Sequence, residues 1–222
     1  MEYCFAENEG GTIAMTMYER IMSGKLFTDM CEGLPEKREQ GKLAMKAFND
    51  TAANEVEKRI EMLSSMLGKG DKIWVEPPIY FCYGKNIYIG EGTYINVNCT
   101  FVDDGPIHIG KNVLFGPSVN VATVGHPINP TMREYMYTDP VTIEDNVWVG
   151  ANVTICPGVT IGKNSVIGAG SVVTKDIPAD SVAAGNPCQV IRKIDERDKE
   201  FYYKDRRIDE KDLEEERALR NH

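Results

Sequence analysis

Between Val141 and Pro178 an aliphatic residue falls on every sixth position: Ile143, Val149, Ile155, Ile161, Ile167 and Val173. A second apolar or small residue stands four places after each site from Ile143 on, at Val147, Val153, Val159, Ser165, Ser171 and Ile177. A small or polar residue usually follows the aliphatic directly, as in Val149-Gly150, Ile161-Gly162 and Ile167-Gly168. A helix repeats its apolar face every three to four residues and a half-buried strand every two, so a strict six fits neither. Such a repeat predicts a solenoid, in which each unit buries its face only against its neighbours. Three hexapeptides make a triangular coil of about 18 residues, with aliphatics inward and small residues at the corners. At the usual inter-strand spacing, roughly five coils stack into a prism ~24 Å tall.

The beat begins earlier, at Ile89, Ile95, Phe101 and Ile107, slips by two, and resumes at Ile109, Phe115 and Val121. Asp103-Asp104-Gly105-Pro106 is the turn signal at the slip. From Val121 to Ile143 the beat disappears, and that gap holds Gly125-His126-Pro127, Arg133, Glu134, Tyr135 and Tyr137. A long interruption in a regular solenoid predicts an excursion loop, here at about 123–140, and such loops often carry function. Upstream the chain reads helical from Thr16 to Leu67. Thr16 caps a short helix through Ser23, and Leu34-Pro35-Glu36 opens a second that runs to about Asn49. Asn54 and Glu57 resemble a capping box for a third, with Val56, Ile60, Leu63 and Leu67 as its apolar stripe. These helices are expected to cover the open end of the solenoid, whose edge strands would otherwise invite pairing.

The expected organisation is therefore a disordered extension at 1–14, a helical cap at 15–70, a β-helix at 71–190 and a C-terminal segment at 191–222. Met15-Thr16-Met17 looks like a natural beginning. Val182 to Pro187 reads as a last partial turn, and Ile191 to Arg207 as a segment that packs back on the solenoid. Asp209 to His222 reads as an exposed helix or a frayed tail, the tail being preferred.

Composition narrows the function classes. The 222 residues are 42% hydrophobic, enough for a sizeable core, and the formal net charge of −9 argues against nucleic-acid binding. The six cysteines form no CxxC pair and no disulfide framework. Reduced thiols, no signal peptide and no apolar run of membrane-spanning length point to the cytoplasm.

The repeats resemble the left-handed parallel β-helix of the hexapeptide-repeat acyltransferases, an all-β solenoid. Phe27-Thr28-Asp29-Met30-Cys31-Glu32-Gly33, Trp74-Val75-Glu76-Pro77-Pro78, Tyr83-Gly84, Gly125-His126-Pro127, Asn146 to Gly150, Val173 to Asp176 and Gly185-Asn186-Pro187 are similar to motifs of the galactoside and maltose O-acetyltransferases, the galactoside branch above all. The resemblance covers about Thr16 to Lys204. It implies acetyl-CoA as cosubstrate, a sugar acceptor, no metal, and a closed homotrimer with sites between subunits.

Moving an acetyl group from a thioester to a hydroxyl needs a base for the proton, donors for the oxyanion and a dock for the carrier. Of the three histidines, His222 ends the chain and His108 reads as an outward strand residue. His126 heads the loop, where the resemblance places the general base. A carboxylate or a backbone carbonyl should orient its other ring nitrogen. The resemblance assigns Asp29, Cys82, Tyr94, Asn96 and Asp104 to the acceptor. It assigns Trp148, Ala151, Ala169, Thr174, Lys175 and Arg192 to acetyl-CoA. Two positions depart from the family pattern. Cys82 stands where the galactoside enzymes carry Ser, which removes a strong donor, and Gln189 where relatives often have Arg.

Direct transfer in a ternary complex is expected, since no cysteine stands in a nucleophile motif. A non-sugar acceptor, such as an antibiotic hydroxyl or serine, and a non-catalytic binding protein are the alternatives. A metal enzyme on the same prism, like the γ-type carbonic anhydrases, needs three histidine ligands, and only His108 and His126 lie within the repeats.

Overall fold

In the computed structural model, which describes residues 15–30 and 33–220, every sixth-position aliphatic from Ile143 to Val173 is buried. The outward neighbour on each two- or three-residue strand is partly or fully exposed, so a short alternation lies inside the longer beat. Three strands per turn wind into a parallel β-solenoid of about six turns with three faces. One face is seven-stranded, from Trp74–Val75 through Tyr94–Ile95, Leu114–Phe115, Trp148–Val149, Val166–Ile167 and Ser181–Gly185 to the antiparallel Cys188–Lys193. The five-stranded face holds Ile79–Phe81, Cys99–Val102, Asn120–Ala122, Thr154–Ile155 and Val172–Val173. The four-stranded face holds Ile87–Ile89, Ile107–Ile109, Val141–Ile143 and Thr160–Ile161.

The register explains the slip in the beat. In the upper coils Thr142 pairs with Thr160 and Thr154 with Val172, eighteen residues on. In the lower coils Ile79 pairs with Cys99 and Ile87 with Ile107, twenty residues on. Across the excursion Asn120 pairs with Thr154, thirty-four residues on. The surplus always enters at one corner, where the chain passes from the five-stranded to the four-stranded face. Left-handed residues recur at the corners, most often where the four-stranded face turns into the seven-stranded one. There Gly92 has φ 76°, and Asn112, Asn146 and Asn164 have 54°, 59° and 62°. Asn tolerates this conformation better than most side chains.

Helices α1 (Met17–Met22) and α2 (Leu34–Asn49) have the expected bounds, and Thr16 with Glu19 forms a full capping box. Helix α3 (Val56–Met66) departs from expectation. Its N-cap is Glu55 rather than Asn54, and the Glu55 carboxylate reaches back to the Ala52 N–H. The buried stripe is Arg59, Leu63 and Met66, while Ile60 is exposed. Arg59 is drawn inward because its guanidinium donates to the Ala52 and Ala53 carbonyls at 2.7 and 3.1 Å. Phe48, Leu63, Met66 and Leu67 join the solenoid core. The Asn49 amide accepts from Ile79 N at 2.9 Å and donates to Ile79 O at 2.8 Å, covering backbone groups of the first five-stranded-face strand.

At the other end Cys188–Lys193 packs back as an antiparallel strand. Beyond it, helix α4 (Arg197–Glu200) and the hairpin of Phe201–Tyr203 with Arg206–Arg207 are largely exposed, with Arg197 and Arg207 over the Phe201 ring. Glu210–Arg220 is a fully exposed helix, α5, rather than a frayed tail. The extension expected at 1–14 and His222 lie outside the described residues.

Candidate active site

The swollen corner gathers chemistry from three successive coils. The lowest contributes Cys82 and Tyr83, the next Asp103 and Asp104, and the third the excursion loop. That loop leaves the prism as a short antiparallel ladder, Val124–Gly125 against Tyr137–Thr138. Gly125 lets the Tyr137 ring lie close against the backbone there, since a Cβ would sit 2.7 Å from its hydroxyl. The helical cap braces the loop. Phe27 exchanges two backbone hydrogen bonds with Met136, both at 2.9 Å, and Thr138 Oγ1 donates to Ile21 O at 2.5 Å. Ile21, Phe27 and Leu34 form a second small core with Val124 and Met136.

This bracing presents His126 at the surface. Its Nδ1 lies 2.9 Å from Arg133 O and 3.0 Å from Tyr135 O. Carbonyls only accept, so Nδ1 carries the proton and Nε2 keeps its lone pair. The orienting group is therefore backbone carbonyl, not carboxylate.

Asp104 is nearly buried, and its charge is felt at Arg38 and His126. Burial raises its carboxyl, against the opposing pull of Arg38. Asp29 forms an ion pair with Arg38 of α2, which also faces the Tyr83 hydroxyl. Burial, followed by the charges of Asp104 and Asp103, pushes the Cys82 thiol up to about 12. The thiol is therefore neutral, a weak donor and no nucleophile at ordinary pH. A cavity of about 440 Å3 opens between the cap and this corner, lined by Ile21, Leu34, Ala44, Met66, Tyr83 and Asp104 among others.

One prism brings together only part of the expected set. Asp29, Cys82, Asp104 and His126 share the swollen corner, with Thr174 and Lys175 exposed higher on the same edge. Tyr94 and Trp148 lie on the seven-stranded face, where Trp148 is 54% exposed. Asn96, Ala151 and Ala169 sit where that face turns into the five-stranded one, across a full face from His126. Arg192 is exposed, with its guanidinium forked onto Asp198 at 2.6 and 2.7 Å. Arg38, Asp103 and Thr138 escaped the sequence reading. Asp103 did leave a signal, because it stands two residues after the inward Phe101 and so on an inward position.

Two family models match. The maltose acetyltransferase hexapeptide capping motif covers residues 20–70, and the bacterial transferase hexapeptide (six repeats) covers 140–175. Galactoside O-acetyltransferase of Escherichia coli (strain K12) is 56% identical over 198 residues, 88% of this chain and 98% of that protein. The chain belongs to the hexapeptide-repeat galactoside and maltose O-acetyltransferase family. A solved galactoside acetyltransferase in complex with coenzyme A superposes with a TM-score of 0.84 at 53% identity, over 88% of this chain and all of that one. A maltose O-acetyltransferase from Clostridium difficile 630 gives 0.81 at 47% identity, over 82% and 100%. Family membership accounts for the cap and the repeats together, because the two matched motifs flank the swollen corner. Among the described residues no group of His, Cys, Asp and Glu is placed to hold a metal ion, and no helix is long and apolar enough to cross a membrane.

Proposed function

We propose that the chain is an acetyl-CoA-dependent O-acetyltransferase acting on a sugar hydroxyl, with His126 as general base. The observation that carries this is the His126 tautomer, fixed by two carbonyls so that Nε2 is free to take a proton. As Nε2 takes the hydroxyl proton, the acceptor oxygen attacks the acetyl carbonyl. The imidazolium then returns the proton to the departing coenzyme A sulfur. The acid–base balance closes on one histidine, and the neutral Cys82 thiol favours direct transfer over an acyl-cysteine. Asp104 stabilises the imidazolium and, with Asp29 and Arg38, offers partners for sugar hydroxyls. Galactosides and maltose are the acceptors that the relatives' names suggest, and glucose stands beside them as a related sugar.

For acetyl-CoA, the exposed Trp148 ring, the small Ala151 and Ala169, and Thr174 with Lys175 fit a flat arm ending in phosphates. Arg192 joins them by sharing or leaving Asp198. Thr174 and Lys175 share the edge of His126, but Trp148, Ala151 and Ala169, with Tyr94 and Asn96, lie where one prism holds them apart from it. A homotrimer that sets the binding edge of one subunit against the catalytic corner of the next reunites them. Free cysteines at 82, 99, 156 and 188 accord with a reducing cytoplasm.

The test is acetyl-CoA turnover against galactosides, maltose, glucose, serine and an antibiotic alcohol, with product mapping by NMR and sedimentation to count subunits. Sugar O-acetylation by a trimer is expected. Transfer only to the non-sugar alcohols overturns the acceptor class, and a fully active monomer overturns the shared site.

A further inference from the structure

The two adjacent carboxylates of the swollen corner are in different situations. Asp104 faces Arg38 and His126. Asp103 is 0% exposed and points into the corner beneath, where its Oδ1 accepts from Cys82 N at 2.8 Å and Tyr83 N at 2.9 Å. Its Oδ2 is buried without a hydrogen bond of normal geometry. Asn86 ties the same two corners from below, donating to Asp103 O at 2.7 Å.

The next coil supplies a control. Val102 pairs with Ala122, so Thr123 stands level with Asp103. Thr123 does similar work for a single donor, accepting from Gly105 N of the corner beneath at 2.9 Å. Its hydroxyl also donates to Val102 O at 2.9 Å, so it is satisfied as a neutral group. Tying one corner to the next can therefore be done by a neutral oxygen holding one donor, and Asp103 instead brings a carboxylate onto two. A buried carboxylate with one bare oxygen is a cost the fold does not require, and such costs cluster at functional sites.

We propose that Asp103 is a positioning residue of the acetyl-transfer reaction, gripping the Cys82–Tyr83 turn by two charge-assisted N–H bonds and so setting Asp104 at the acceptor beside His126. It rests on the reading of His126 and Asp104 given above. The ionised form is the better grip, because a charged acceptor binds two donors more strongly than a neutral one.

The charged and titratable groups around Asp103 are Asp104 on its own corner, Cys82 and Tyr83 beneath, Arg38 and Lys42 from α2, and His126 from the loop. Burial pushes the Cys82 thiol and the Tyr83 phenol up to about 12, so neither ionises near neutrality. Burial likewise pushes the Asp103 carboxyl up to about 7, against the pull of the Tyr83, Cys82 and Gly84 N–H groups. The unfolded carboxyl titrates near ~3.9. Between those values the folded state holds the extra proton, so Asp103 contributes stability that is lost as pH rises through about 7. The same ionisation strengthens the grip. Stability and acceptor turnover thus move in opposite directions with pH. His126 must be unprotonated to act as base and so raises turnover with pH by itself. The share that belongs to Asp103 is the part of the profile that an uncharged residue there removes.

The test uses the full chain, acetyl-CoA and methyl β-D-galactopyranoside. In Asp103→Asn, which keeps an oxygen facing the two donors, acceptor kcat/KM should fall roughly tenfold or more. The KM for acetyl-CoA should stay within about twofold, because its dock lies on other coils. Thermal stability at pH 8.5 should equal or exceed that of the wild type, whose decline between pH 5.5 and 8.5 should be flattened in the variant. Asp103→Thr, copying Thr123, should behave alike and decides the matter if the asparagine variant does not fold. Wild-type acceptor kinetics in either folded variant overturns the proposal. So does a parallel loss of stability and turnover in both, or failure of both to fold, which would make Asp103 a residue of the fold. Full activity in His126→Ala would instead remove the base on which the reading of the site rests, and Asp103 would still be judged by acceptor kcat/KM.

Discussion

The coils from Val141 to Ile177 and the coils below them share one continuous core, yet differ at a single corner. In the upper coils every corner is minimal. Only residues 156–159 join the five- to the four-stranded face there. The other corners are equally tight in both halves: a Cβ on Gly110 or Gly116 below, or on Gly150 or Gly162 above, would lie 2.4–2.6 Å from a backbone nitrogen of the next turn. In the lower coils the corner between the five- and four-stranded faces swells, first by two residues and then into the His126 excursion. The interior does not register the difference: Phe101, Val121, Ile143 and Ile155 are all buried. Insertion at a corner leaves the inward register untouched, so a solenoid can grow a site there without repacking its core. On the proposed reading, the regular half offers rigidity and a dock, and the irregular corner offers chemistry.

The sharpest way to break that division is to remove one group from each half. His126→Ala should lower kcat by about 10²–10⁴-fold while circular dichroism and melting stay close to wild type, because the side chain is exposed and contributes nothing to the core. Near-normal steady-state turnover would show that the corner is not where the reaction runs. Ile155→Ala should do the reverse. Its side chain is fully buried among facing aliphatics, so truncation should cost about 2–5 kcal/mol in urea unfolding. The kcat of the folded fraction should stay within a few-fold of wild type. Loss of kcat with intact stability would mean that the upper coils take part in chemistry directly.

The two halves were also unequally legible in the sequence. The six-residue beat is a local pattern that marks the coils and the slip, and its gap between Val121 and Ile143 holds the ladder of Val124–Gly125 with Tyr137–Thr138. Helix α2 was equally clear, because Pro35 and Glu36 mark its start on local grounds. Helix α3 was less so. Arg59 is buried for carbonyl partners in its preceding loop, and no hydrophobic scale registers such partners. At the site, His126 stood out through its interruption of the beat. Its orienting partners did not, because backbone carbonyls have no residue type. Arg38 and Thr138 were invisible for a related reason: each matters through a partner far along the chain, and a single sequence does not display such pairs.

Thr138 allows the subtlest division between the halves. It is 5% exposed and stands where the cap, the excursion loop and the Asp104-Gly105 corner meet. Its hydroxyl donates to Ile21 O, and its methyl group would lie 3.3 Å from a Cβ placed on Gly105. Thr138→Val keeps the shape and removes only the donor. The Ile21 carbonyl keeps the Gly24 N–H at 3.1 Å, so the loss is one hydrogen bond, about 0.5–1.5 kcal/mol. That cost falls on the seam between cap and loop rather than on the solenoid, since Ile21, Phe27 and Leu34 belong to a separate small core. Amide exchange at Phe27 and Met136 should therefore quicken while exchange at Ile143 and Ile155 stays slow. The His126 ring depends on the same loop for its two carbonyls, so kcat should fall by up to roughly tenfold with little change in overall melting. Uniform quickening across both cores would show that cap, loop and solenoid open as one unit, and the corner would then have no independence from the coils that carry it.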